Sequence, residues 1–188
     1  MRVEDIKGLT VKTRKFQNVY QGKAKIYDAR VRRITYRRIK VPDNFKDKKV
    51  LILGDAFGIE RKFLQKRGFK NITTTVASKK EVVGENVIIC DIHNLPFDDE
   101  EFDFIYASHI LEHAVAPMIA LEEIYRIMKK GALALLWMPY HDRGQILYYH
   151  YSCFRPFVWW NLIQKSKFSK IREYENKDRS ETGYFIRK

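Results

Sequence analysis

Cysteine is scarce in this 188-residue chain, which holds only Cys90 and Cys153. Two thiols cannot build a disulfide framework, so stability has to come from burying apolar surface, and a reducing, cytoplasmic compartment is the expectation. No Cys/His spacing reads as a zinc site: His109 and His113 stand four residues apart, but no third ligand follows from sequence. Long apolar runs are missing too. The longest candidate, ALALLWM at 132–138, is strand-sized, against the roughly 18 residues that a membrane span needs. The opening MRVEDIKGLT has no apolar stretch of the secretory kind. Internal repeats and low-complexity tracts are also absent.

What is present points to one globular domain. Hydrophobic residues make up 45% of the chain and aromatics 14%, enough for a substantial core and too much for a disordered polymer. The net charge of +13 is unevenly spread. Residues 1–49 hold 16 Lys/Arg against five Asp/Glu, whereas the remaining residues hold 20 against 18. A nearly neutral domain (48–188) is therefore expected behind a basic N-terminal extension (1–47). Residues 1–49 would favour nucleic acid or another polyanion, or serve only as a solvated face.

Apolar periodicity then alternates. AKIYDARVRRITYRRIKVP (24–42) reads as one or two basic strands, and Pro42-Asp43-Asn44 breaks the pattern. Strands are expected at 49–54, 71–77, 85–90, 102–108 and 132–138, with helices at 59–68 and 116–131. A helix at 155–166 and a closing hairpin, 168–175 with 182–188, complete the chain. Strands alternating with helices imply an α/β, Rossmann-like, mostly parallel seven-stranded sheet with helices on both faces. Ligands of such sheets sit beyond the carboxyl ends of the strands, so the residues directly after each strand carry the functional expectation.

The turn after the first strand reads GDAFG (54–58), where small residues let the backbone approach a ligand. After the third strand comes CDIHNLPFDDEEFDFIYASHILEH (90–113). An Asp straight after a strand can accept from an exocyclic amine such as that of adenine, and Ile92 can cover a ring face. The less specific reading makes Asp91 a turn residue and Leu95-Pro96-Phe97 ordinary core. Neither cysteine lies in the Pro-Cys context expected of a cytosine-C5 enzyme, and ASHI follows the fourth strand where many amino-directed nucleic-acid enzymes carry Asn/Asp-Pro-Pro-Tyr, so both chemistries are disfavoured.

The segment from Lys49 to Tyr140, with the final helix and strands, resembles the class I S-adenosylmethionine (SAM)-dependent methyltransferases. The resemblance is to the branch whose hallmark reads D-x-x-x-L-P-F-x-D-x-x-F-D-x-[IV]-x-x-x-H-x-L-E-H. Asp91, Leu95, Pro96, Phe97, Asp99, Phe102, Asp103, Ile105, His109, Leu111, Glu112 and His113 stand in that register. It implies SAM as cofactor. Gly54, Asp55, Ala56 and Gly58, together with Val76 and Ala77, would line its methionine and ribose portions. Asp91 would bind the adenine amine, Ile92 the base, and Ser108 would lie on the other side. His109, and His141 in MPYHD, are the candidate catalytic bases, since imidazole titrates near neutral pH; Glu112 and His113 are read as structural.

The chain departs from the family pattern at three places. Ala56 stands where Gly is usual, and Ile52 where an acid is usual. The acid that closes the second strand and holds the ribose hydroxyls is replaced by Val76 or Ala77, with Ser78, Asp55 or Glu60 as candidates to compensate. Two function classes follow. One is a methyltransferase acting on an O or N atom of an acceptor that is anionic if the basic extension contacts it. The other is a non-catalytic methyltransferase-like fold that binds nucleic acid or protein.

Overall fold

Val50–Leu53 (β1) buries all four side chains. A run without a polar face must be covered on both sides, and here Leu51 and Leu53 join one apolar cluster while Val50 and Ile52 join another. The computed structural model describes residues 39–55, 58–82, 84–140, 150–177 and 180–188. Most of the basic extension, together with Ala56 and His141, therefore lies outside the described residues. The other strands are Ile72–Val76 (β2), Val87–Ile89 (β3), Phe102–Ser108 (β4), Met128–Pro139 (β5), Ser169–Asn176 (β6) and Glu181–Arg187 (β7). They form one seven-stranded sheet in the order β3-β2-β1-β4-β5-β7-β6. Strands β1 to β5 pair in parallel, and β7 pairs antiparallel with both β5 and β6. The expected α/β, mostly parallel sheet is thus observed, and its strand order reverses between β1 and β4.

The helices are Ile59–Lys66 (α1), Pro117–Ile127 (α2) and Pro156–Lys165 (α3). Helix α2 buries Ala120, Leu121, Ile124 and Ile127, and α3 buries Trp159 and Ile163, the spacing of a single helical stripe in each case. Both stripes cover the Leu51/Leu53 face. The opposite face takes Leu64 of α1 together with Ile39 and Val41, which pack in the domain core although they fall within the basic segment. Phe45 meets Phe104 edge to face there, with ring centroids 5.2 Å apart.

The helix expected at 116–131 stops at Ile127, and Met128 already pairs with Phe102 as part of β5. The carbonyls of Arg126 and Ile127 accept from the amides of Glu100 and Glu101, so the loop before β4 takes the acceptors that another helical turn would use. Lys129, whose charge reads as a helix C-terminus, instead reaches Asp103 at 2.8 Å. A register shift between Phe102 and Phe104 also explains why Phe102 shares a face with Ile105.

Arg126 fixes the segment between β3 and β4. Its five N–H donors go to Glu123 Oε1 and Oε2, Asp99 Oδ1 and the carbonyls of Leu95 and Phe97, all at 2.8 or 2.9 Å. Glu123 also accepts from the Leu95 amide at 2.8 Å. This fork explains how Leu95-Pro96-Phe97 packs onto the sheet without a regular element of its own.

Candidate functional site

Every buried acid among the described residues lies at one edge of the sheet. Asp55 follows β1, Glu81 closes the turn after β2, Glu112 lies in the turn after β4, and Glu181 opposes Pro139 at the end of β5. The chain is strongly cationic overall. Concentrating buried carboxylates at the carboxyl edge makes that edge a place for positive charge.

Between β1 and α1, the chain turns at Gly54, whose φ is +81°, and Gly58, whose φ is +64°. A Cβ on Gly54 would stand 2.7 Å from Ile110 Cδ1, so the turn and the loop after β4 are in contact. The Gly54 and Asp55 amides both donate to the Thr75 carbonyl, at 3.0 and 3.1 Å, tying this turn to β2. Asp55 Oδ2 accepts from the Arg61 amide in the first turn of α1 at 3.2 Å, while its buried Oδ1 has no hydrogen-bond partner among the described residues.

Val76 is buried in the core and Ala77 is half-buried. Neither side chain can accept a hydrogen bond, but a carboxylate reaches their level by another route. Ser78 and Glu81 form a capping box around the 3-10 turn Lys79–Glu81. Glu81 Oε2 accepts from the Ala77 and Ser78 amides at 3.0 and 3.1 Å. A carboxylate from five residues beyond the end of β2 therefore stands beside Ala77 and Ser78. Reading the strand end alone passes over Glu81, although Ser-x-x-Glu was a legible signal.

Asp91 follows β3. Its Oδ1 accepts from the His93 amide at 3.0 Å and faces His93 Nδ1 at 2.7 Å. The Ala116 amide donates to His93 Nε2 at 3.2 Å, so the ring carries its proton on Nδ1 and donates it to Asp91. His93 is 2% exposed and thus fixes the Asp91 carboxylate against the start of α2. Ile92 packs in the core cluster. Cys90 is beside them, but burial pushes its thiol up to about 12, which leaves it protonated at neutral pH.

Ser108 ends β4 half-buried, and His109 follows with φ +55°, a left-handed backbone unusual for a residue with a side chain. The His109 amide donates to the Trp137 carbonyl at 2.9 Å, which holds the turn. Its Nδ1 lies 3.2 Å from Glu112 Oε1 and its Nε2 lies 3.4 Å from Glu181 Oε1. Burial pushes the Glu112 carboxyl up, but the adjoining His109 and His113 outweigh it and hold the group below the ordinary glutamate value.

Within α3, Trp159 is core, whereas Phe157 is exposed. Tyr140 donates to Glu175 at 2.8 Å and lines a cleft of about 450 Å³ with Arg155, Phe157, Trp160 and Glu173. No helix among the described residues is long and apolar enough to cross a membrane.

A family model described as "Methyltransferase domain" matches residues 53–136. An uncharacterised protein of Methanocaldococcus jannaschii is 35% identical over 100 residues; the alignment covers 53% of this chain and 44% of that protein, so the chain spans less than half of its relative's length. Among solved structures, a SAM-dependent methyltransferase from Thermotoga maritima superposes with a TM-score of 0.71 at 17% identity, covering 92% of this chain and 98% of that one. The cyclase SpnF superposes at 0.70 and 14% identity, covering 85% and 80%, so the fold by itself does not dictate the reaction. The chain has the Rossmann-like methyltransferase fold, and its residues 53–136 are similar to the methyltransferase domain.

Proposed function

We propose that this protein is a SAM-dependent methyltransferase acting on an oxygen or nitrogen atom of its acceptor. The observation that carries the reading is the set of buried carboxylates at the carboxyl edge of the sheet. The residues present suit the cofactor: Gly54 turns without a side chain, Asp55 Oδ1 is buried without a partner among the described residues, and carboxylates stand after β2 and β3. When bound, SAM supplies a methyl group on a positively charged sulfur, ready for in-line displacement.

The protein's part is to bind, orient and screen. Gly54, Asp55, Ala56 and Gly58 would line the methionine and ribose portions, and Val76 and Ala77 would flank the ribose, with Glu81 as acceptor for its hydroxyls. Asp91 would accept from the adenine amine in the orientation set by His93, with Ile92 at the base. Ser108 and His109 would border the methyl, with His141 as a second candidate base. His109 faces carboxylates through both ring nitrogens, which suits it to carry a positive charge itself and to relay a proton between them. The cleft beside Tyr140 would receive the acceptor.

Calorimetry with S-adenosylhomocysteine tests this reading. Saturable heat is expected. No heat at millimolar ligand would overturn it and leave the non-catalytic module. The basic segment favours a polyanionic partner, nucleic acid among them: residues 1–49 hold 16 Lys/Arg against five Asp/Glu. Its binding should weaken steeply with salt. Deleting residues 1–38, which keeps Ile39 and Val41 in the core, should abolish that salt dependence; an unchanged slope would remove the polyanion.

A further inference from the structure

We propose that Glu112, His113 and His150 hold a divalent transition-metal ion at the carboxyl edge of the sheet, with zinc the fitting chemistry. One ligand atom from each lies within 4.8 Å of the others. The His113 and His150 rings meet edge to face, with centroids 4.9 Å apart. Two imidazoles and one carboxylate form a donor set suited to zinc, and three protein ligands leave a coordination position open to water or an acceptor oxygen.

Two further observations make this a built site. The Glu112 side chain has no solvent exposure, yet neither oxygen accepts a well-formed hydrogen bond among the described residues. His109 Nδ1 stands 3.2 Å and His113 Nε2 4.0 Å from Glu112 Oε1, so two imidazoles face the buried carboxylate. A compact cation between Glu112, His113 and His150 would satisfy the buried charge. The backbone also holds the ligands together. The Tyr151 and Ser152 amides donate to the Glu112 carbonyl at 2.8 and 3.1 Å, and Ser152 Oγ donates to the Ala114 carbonyl at 3.2 Å. These bonds pin the segment carrying His150 onto the turn Leu111–His113.

Zinc–nitrogen bonds of about 2.0–2.1 Å imply ligand atoms roughly 3.3 Å apart, so binding requires only a contraction of the side chains. His109, between Glu112 and Glu181, would then orient the carboxylate ligand. None of the three ligands belongs to the proposed adenosine site, although Glu112 is one of the four buried carboxylates at the same edge.

The test uses the full, tag-free chain, stripped with a chelator, dialysed against Zn²⁺ and measured for bound metal; Co²⁺ replaces Zn²⁺ for a visible spectrum. About one ion per chain and a tetrahedral cobalt band are expected. Glu112→Gln risks the fold, so His113→Ala and His150→Ala carry the test, with circular dichroism confirming that they fold. Each should weaken zinc binding by at least about tenfold. No stoichiometric metal in the wild type, or unchanged affinity in both folded variants, would overturn the proposal.

Discussion

Replacing Glu81 with Gln separates holding the turn from holding a ligand. In the structure, one carboxylate oxygen accepts two amides, from Ala77 at 3.0 Å and Ser78 at 3.1 Å. The carbonyl of a glutamine can accept both, so the turn should survive with a stability change below about 1 kcal/mol. The negative charge and the second acceptor oxygen are lost. One charge-assisted hydrogen bond to a ribose hydroxyl contributes about 1.5–3 kcal/mol, which corresponds to a roughly 10- to 150-fold weaker Kd. Glu81→Ala removes the amides' acceptor as well, an added cost of about 1–3 kcal/mol. That lowers the melting temperature by about 2–12 °C in a chain of this size. Titration calorimetry with S-adenosylhomocysteine and thermal unfolding of both variants provide the assay. If Glu81→Gln binds like the wild type, the carboxylate has no ribose role; if Glu81→Ala melts like the wild type, the capping geometry is wrong.

Three other perturbations follow from the packing. Gly183→Ala would put a Cβ 2.7–2.8 Å from three ring atoms of Trp137, which is stacked on Tyr174. An overpacking cost of about 1–3 kcal/mol should appear in thermal unfolding, and an unchanged midpoint would contradict that packing. Arg126→Lys replaces a five-donor fork with three donors that cannot span Leu95, Phe97, Asp99 and Glu123 together. It should cost about 1–3 kcal/mol in denaturant unfolding, and a wild-type midpoint would show that the fork is dispensable. Burial pushes the Asp103 carboxyl up, but Lys129 and the Lys49 amide more than offset this and hold it below the usual aspartate value. Its contribution is therefore complete above the unfolded value of about 3.9 and is lost as pH falls through the lower folded value. Asp103→Asn should be less stable than wild type near neutral pH by under about 1 kcal/mol, with the gap closing towards about pH 2. A gap that grows on acidification would reverse the sign.

The elements were legible where local pattern and tertiary demand agree. KVLILG could only be a strand covered on both faces, and FDFIYAS appears as β4 with the expected bounds. The reading failed where sheet pairing competed with helix propensity: Met128-Lys129-Lys130 has helical spacing and a favourable charge for a helix end, yet joins β5. In the candidate site, Gly54, Gly58 and Asp91 were visible as residues following strands. Glu81 and His93 were not singled out, because each acts through a backbone or side-chain partner that strand ends do not reveal.

Alternating apolar runs and turn residues by themselves determined a mostly parallel α/β sheet, because strand and helix periods are local properties of the chain. Only the tertiary structure decided that β7 inserts between β5 and β6, that four buried acids share one edge, and that His150 lies beside Glu112 and His113. Those facts depend on which distant segments are brought together, and the gain from burying them jointly is not encoded in the spacing of any one segment.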